Sequence, residues 1–331
     1  MAVAAVIVVV AAGIAAKSAV ASNQPPALPR VGAVQRVNDA DVGDPFILPV
    51  ATAARSGKPA STTYYLYWTT DWQSNVPMAS STDLVHWQSR PDAFPVLPLW
   101  AEASNKMTWS PALVAIKGRY LMYVSTEEAS SGRQCIALAT APRPDGPYAD
   151  RTNHPFICQQ NLGGSIDPAI VRDAAGHLHL LWKNDGNCCG QPTAIWEQKL
   201  SADGMHVLGT ARRLLSADLA WQGGNIEAPA MIAAAGHGWW LFYSGNAWRS
   251  GDYATGLAFC TTVEGPCRET SQRPFLASTA ELRTPGGLET FQDSRHRTWI
   301  AFTTTVLVPS RRNPARHYLN RVLDIAPLVP A

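Results

Sequence analysis

Residues 165–182 read SIDPAIVRDAAGHLHLLW: a short β-prone run entered through Asp167-Pro168, a turn at Ala175-Gly176, then an apolar run ending at Trp182. The same order recurs along the chain. The other proline steps are Asp44-Pro45, Ser110-Pro111, Ala228-Pro229 and Thr284-Pro285, and the matching aromatic runs are Thr62–Thr70, Tyr120–Ser125, Trp239–Ser244 and Thr298–Thr303. Five occurrences at a spacing of about 60 residues mark a repeat architecture. A third β run follows in several units, such as Ile136–Ala141 and Gly256–Cys260. Asp145-Gly146-Pro147-Tyr148 and Glu264-Gly265-Pro266-Cys267 close two of them. Helical periodicity is almost absent. Short strands, four to a unit and five units in all, give an all-β chain folded as a five-bladed β-propeller over residues 40–331. A β-sandwich does not explain the period.

Proline cannot donate to a ladder, so it belongs at the first residue of a strand, and the residue before it marks the strand's entrance. In a propeller the first strand of every blade lines the central channel, and equivalent entrances gather at one mouth. At or next to these entrances stand Asp44, Trp109, Asp167 and Glu227. One Asp-Pro is an ordinary turn starter. Three carboxyls at one repeat phase are another matter: they raise one another's pKa and are costly to bury unpaired. The chemistry that uses such a group is general acid–base catalysis. Trp109, beside the channel mouth, is the best stacking platform for a sugar ring, and Trp72 in the turn Thr70-Asp71-Trp72-Gln73 is placed to overhang the pocket. Arg316, at the start of the last strand, is the candidate partner for an axial carboxylate or a sugar hydroxyl. His86, His177 and His179 sit in strand-like contexts without ligand spacing and read as structural.

With these motifs in order, the sequence resembles glycoside hydrolase family 43. Gly43-Asp44-Pro45-Phe46-Ile47 is similar to that family's first-blade motif, Thr108-Trp109-Ser110-Pro111 to the second, Ser165-Ile166-Asp167-Pro168-Ala169 to the third and Asn225-Ile226-Glu227-Ala228-Pro229 to the fourth. The resemblance spans roughly residues 40–325. It implies a five-bladed propeller and inverting glycosidic cleavage, with Asp44 as general base, Glu227 as general acid and Asp167 as the group that tunes Glu227. It favours exo action on furanosides or pentosides, of the α-L-arabinofuranosidase or β-xylosidase kind. The alternatives are an endo-arabinanase or galactofuranosidase of the same fold, or a carbohydrate-binding propeller without catalysis. No organic cofactor is implied. Many members carry a fifth-blade histidine that helps hold a metal on the axis. The corresponding stretch, Thr284-Pro285-Gly286-Gly287-Leu288-Glu289, has none, which puts a structural calcium in question.

Composition bounds the partners. The net charge of +2 with no basic block argues against nucleic acid, and 12 Trp and 9 Tyr suit an oligo- or polysaccharide substrate. Residues 2–16 are uninterruptedly apolar and Ala19-Val20-Ala21 follows, so 1–21 reads as a signal peptide or N-terminal anchor and 22–39 as a Pro-rich linker. Export to the cell exterior or envelope fits six cysteines paired as disulfides. Cys260 and Cys267 are close enough to tie a hairpin and Cys135 and Cys158 to staple neighbouring elements, while the adjacent Cys188 and Cys189 form either a vicinal bond or free thiols. A monomer is the default expectation.

Overall fold

The structure is a computed structural model that describes residues 24–37, 40–54, 59–105, 107–309 and 317–330. The expected signal segment 1–21 and Arg316 lie outside these residues. Five antiparallel sheets hold most of the chain. In each, the proline-associated run is the innermost strand: Phe46–Thr52, Trp109–Ile116, Ser165–Arg172, Ile226–Ala233 and Gly286–Gln292. The aromatic runs are the second strands: Ser61–Tyr67, Arg119–Glu128, Leu178–Asn184, Trp239–Gly245 and Thr298–Pro309. Each innermost strand packs against those of the two flanking blades, and the fifth closes on the first. The chain is therefore a five-bladed β-propeller.

Period-two alternation builds the ring. In Leu178–Asn184, Leu178, Leu180 and Trp182 join Ile116, Leu121 and Tyr123 in the core between blades two and three. Leu181 faces the other way and joins Met231 and Leu241 between blades three and four. A strand covered on both faces must be apolar on both. Five such cores fill the five gaps. Each fully buried Leu or Phe contributes about 1.5–3 kcal/mol, so a polar side chain in one of these rows calls for an explanation.

Three expectations are corrected. Only Pro45 and Pro285 immediately precede their strands; Pro111, Pro168 and Pro229 lie inside theirs. They are tolerated because the ladder breaks register there, between Trp109 and Ala112, Ile166 and Ala169, and Glu227 and Ala230. The Pro-rich stretch 22–39 is not a free linker: Arg30–Val31 and Gln35–Arg36 pair with His317–Val329, so both ends of the described chain complete blade five. Blade two has three strands rather than four among the described residues. Isolated bridges, Ile136 to Ile157 and Thr140 to Ala149, take the place of its outer strand.

The cysteines pair as Cys135–Cys158, Cys188–Cys189 and Cys260–Cys267. The last joins directly opposed residues of neighbouring strands, and the second is the vicinal bond.

Candidate active site

The residue before each repeat proline has a left-handed backbone: φ is 51° at Asp44, 51° at Ser110, 55° at Asp167, 49° at Ala228 and 50° at Thr284. For a residue with a Cβ this costs about 1–3 kcal/mol, and it persists only where the surroundings hold it. Hydroxyls of the preceding blade do some of that holding. Ser110 N donates to Thr69 Oγ1 at 3.0 Å, and Asp167 N donates to Ser125 Oγ at 3.2 Å. The turn brings Asp44, Ser110, Asp167 and Ala228 to a small cavity on the axis, which Glu289 joins from blade five. Glu227 sits one residue earlier in its repeat than the two aspartates do in theirs, so the acids do not share a single phase as the sequence suggested.

Asp44 is the blade-one acid. Its Oδ2 accepts from Thr69 Oγ1 at 2.5 Å and from Arg321 Nη1 at 3.2 Å. Arg321 also lies over the Trp248 ring, 4.8 Å from its centroid. Gly43 makes this approach possible, since a Cβ there would stand 1.8 Å from Arg321 Cζ. From the neighbouring blade five, a Cβ on Gly287 would lie 3.4 Å from Asp44 Oδ1, and Gly287 has φ +60°.

Asp167 and Glu227 form a coupled pair. Asp167 Oδ2 accepts from Ala228 N at 3.0 Å. Burial, and then the charge of Glu227, push the Asp167 carboxyl up to about 8, against the pull of Lys183; Asp44 adds to the rise. Glu227 is wrapped in donors: Lys183 Nζ and Asn225 Nδ2 each lie 3.0 Å from Oε2, and Tyr253 Oη lies 2.8 Å from Oε1. Burial pushes Glu227 up, but the Lys183 ammonium and these hydrogen bonds outweigh it and hold the carboxyl below its usual range. Tyr253 is driven well above the ordinary phenol range by burial and by the charges of Glu227 and Asp44. Its ring fits because residue 286 is glycine: a Cβ there would stand 2.2 Å from Tyr253 Cε1.

The other candidates fare unevenly. Trp109 is half-buried at the start of its innermost strand and shares the phase of Glu227. Trp72 is 67% exposed at φ 70°, in the loop after Thr69 and Thr70. Arg316 lies outside the described residues; among the described ones, Arg321 brings a guanidinium to an axial carboxylate, that of Asp44. Sequence reasoning missed Lys183, Tyr253 and Arg321. Lysine in the apolar run His177–Trp182-Lys183 and arginine in His317–Val329 were the available signals; Tyr253 gave none.

The axial cavity, about 20 Å³, has room for one water. Calcium takes roughly six to eight oxygens, and this site offers three carboxyls, of which Glu289 is driven up to about 8 by burial. These residues do not make a calcium cage.

The model of the family described as glycosyl hydrolases family 43 matches residues 47–329, beginning just after Asp44. Among solved structures, a thermostable family-43 glycoside hydrolase superposes with a TM-score of 0.68 at 20% identity, covering 92% of this chain and 91% of that one. An endo-arabinase from Bacteroides thetaiotaomicron gives 0.67 at 19% identity, covering 89% and 96%. An alpha-L-arabinofuranosidase from Lactobacillus brevis gives 0.67 at 15% identity, covering 87% and 90%.

Proposed function

The chain belongs to glycosyl hydrolase family 43 and is a glycosidase, and from that premise we propose an exo-acting, inverting enzyme for furanosides or pentosides, of the α-L-arabinofuranosidase or β-xylosidase kind. The observation that supports this reading is that Asp44 and Asp167, from two blades, line one axial cavity and that Glu227, from a third, lies within charge reach of Asp167. Asp44, oriented through Oδ2 by Thr69 and Arg321, takes the proton of a water that attacks the anomeric carbon. Glu227 delivers a proton to the departing oxygen on the opposite face of the ring. Asp167 tunes the acidity of Glu227 and fixes the backbone of Ala228, next to it. Trp109 and Trp72 offer the sugar flat apolar faces. The chain resembles an arabinofuranosidase and an endo-arabinase about equally, so the identity of the sugar rests on the family reading alone.

The test is hydrolysis of a panel of aryl furanosides and pyranosides by wild type, Asp44→Ala and Glu227→Ala, with NMR of the first-formed anomer. We expect turnover of an aryl α-L-arabinofuranoside or β-D-xylopyranoside with inverted product, and loss of at least about 100-fold in each variant. A retained anomer would overturn inversion. Binding by the wild type without turnover across the panel would favour a non-catalytic carbohydrate-binding propeller.

A further inference from the structure

In the second strand of blade three, alternate side chains facing blade four are His179, Leu181 and Lys183, while Leu178, Leu180 and Trp182 face blade two. Lys183 thus occupies a core position. Its side chain is 0% exposed, and no part of it reaches solvent to keep the ammonium hydrated. Burying an ion pair gains little stability over an apolar pair of similar shape, so fold stability does not account for a lysine here. Its ammonium lies 3.0 Å from Glu227 Oε2 and 3.9 Å from Asp185 Oδ1.

We propose that Lys183 is a positioning residue that acts through Glu227: its buried ammonium sets the pH above which Glu227 no longer holds the proton it donates. This rests on the assignment of Glu227 as the acid. Lys183 and Asn225 both hold Oε2, while Oε1 takes the Tyr253 hydroxyl, which fixes the plane of the carboxylate. The cation favours the ionised form of Glu227 and so lowers the pH at which that carboxyl loses its proton. The groups around this centre are Asp167 from the innermost strand of blade three, Asp185 just beyond Lys183 with Arg133 acting on it, Tyr253 from blade four, Asp44 with Arg321 from blades one and five, and Glu289 at the axial cavity. Among these, only Lys183 bonds Glu227 with a positive charge.

The sign of the effect follows. Removing the cation stabilises the neutral, proton-donating form of Glu227, so that form survives to higher pH. In Lys183→Met the basic limb of kcat/KM should move up by about one to three pH units, the span over which an adjacent opposite charge moves a carboxyl. Lys183→Arg, which keeps the charge, should leave the limb near its wild-type position. A limb that stays put in Lys183→Met, with activity falling evenly at every pH, would overturn the proposal and leave Lys183 a packing role. If the methionine variant does not fold, Lys183→Gln replaces it in the same comparison. A carboxyl ¹³C NMR titration of Glu227 separates this inference from the enzyme assignment. Its midpoint should rise when the charge is removed, even in a chain that hydrolyses none of the panel, and an unmoved midpoint would again overturn the proposal.

Discussion

Gly43→Ala tests how the base is held. Gly43 lies outside the left-handed region, so alanine fits its backbone, and the three atoms nearest the added methyl all belong to the tip of Arg321. That tip must move: the methyl would stand 1.8 Å from Cζ and 2.0 and 2.1 Å from the two terminal nitrogens. The displaced guanidinium loses its 3.2 Å bond to Asp44 and its seat over Trp248. A hydrogen bond to a charged group is worth about 1.5–3 kcal/mol net. If that energy is spent orienting the base, kcat/KM should fall by about ten- to a hundredfold. Because the Arg321 side chain can swing aside, the melting temperature should fall by no more than a few degrees. The assay is kcat/KM on the best aryl glycoside for Gly43→Ala, Arg321→Ala and the double variant. Both substitutions break one contact, so the double variant should be no worse than the weaker single one. Additive losses, or wild-type activity in Gly43→Ala, would refute the assignment of Arg321 as the group that holds Asp44.

Two further outcomes concern stability. Asp167 and Glu289 titrate near 8 and Asp185 near 6 in the folded chain, each raised first of all by burial, whereas in the unfolded chain they titrate near 4. The folded state then binds more protons than the unfolded one between these values, so their contribution is complete below about pH 4 and is lost as pH rises through about 6 and then about 8. Melting temperature should fall from pH 5 to pH 8.5, and Asp185→Asn should flatten the lower part of the decline; a rise over that range would contradict the burial of these acids. The Cys135–Cys158 bond closes a sequence separation of 23 residues. Replacing both cysteines by alanine should lower the unfolding free energy by about 3 kcal/mol in denaturant titrations, and an unchanged midpoint would remove this bond from the stabilising set.

The repeat was legible because a propeller reuses one local solution. Each blade places a residue with a left-handed backbone just before a proline at the channel mouth, and in four of the five the inner ladder breaks register there or just beyond, so Pro45, Pro111, Pro168, Pro229 and Pro285 announce the ring. The same logic brought out Asp44, Asp167 and, one position away, Glu227. The groups that set the charge balance were harder to see. Lys183 reads as a strand interruption until alternation assigns it to the face of blade four. Arg321 and Tyr253 reach the site from the last strand and from a loop, at positions no repeat phase marks. Their signatures lie instead in the glycines opposite them: Gly43 yields to a guanidinium and Gly286 to a phenol ring, and neither relation is visible without coordinates.

The stitching of Arg30–Val31 and Gln35–Arg36 onto His317–Val329 has a consequence for handling this molecule. The clasped strand is the one that carries Arg321, and Asp41 Oδ1 accepts from the Arg321 main-chain nitrogen at 3.1 Å. A protease nick or a gene truncation within the thirties would therefore loosen the seam that ties the two chain ends together. The tether on Asp44 would slacken with it, so turnover should fall further than the melting temperature does.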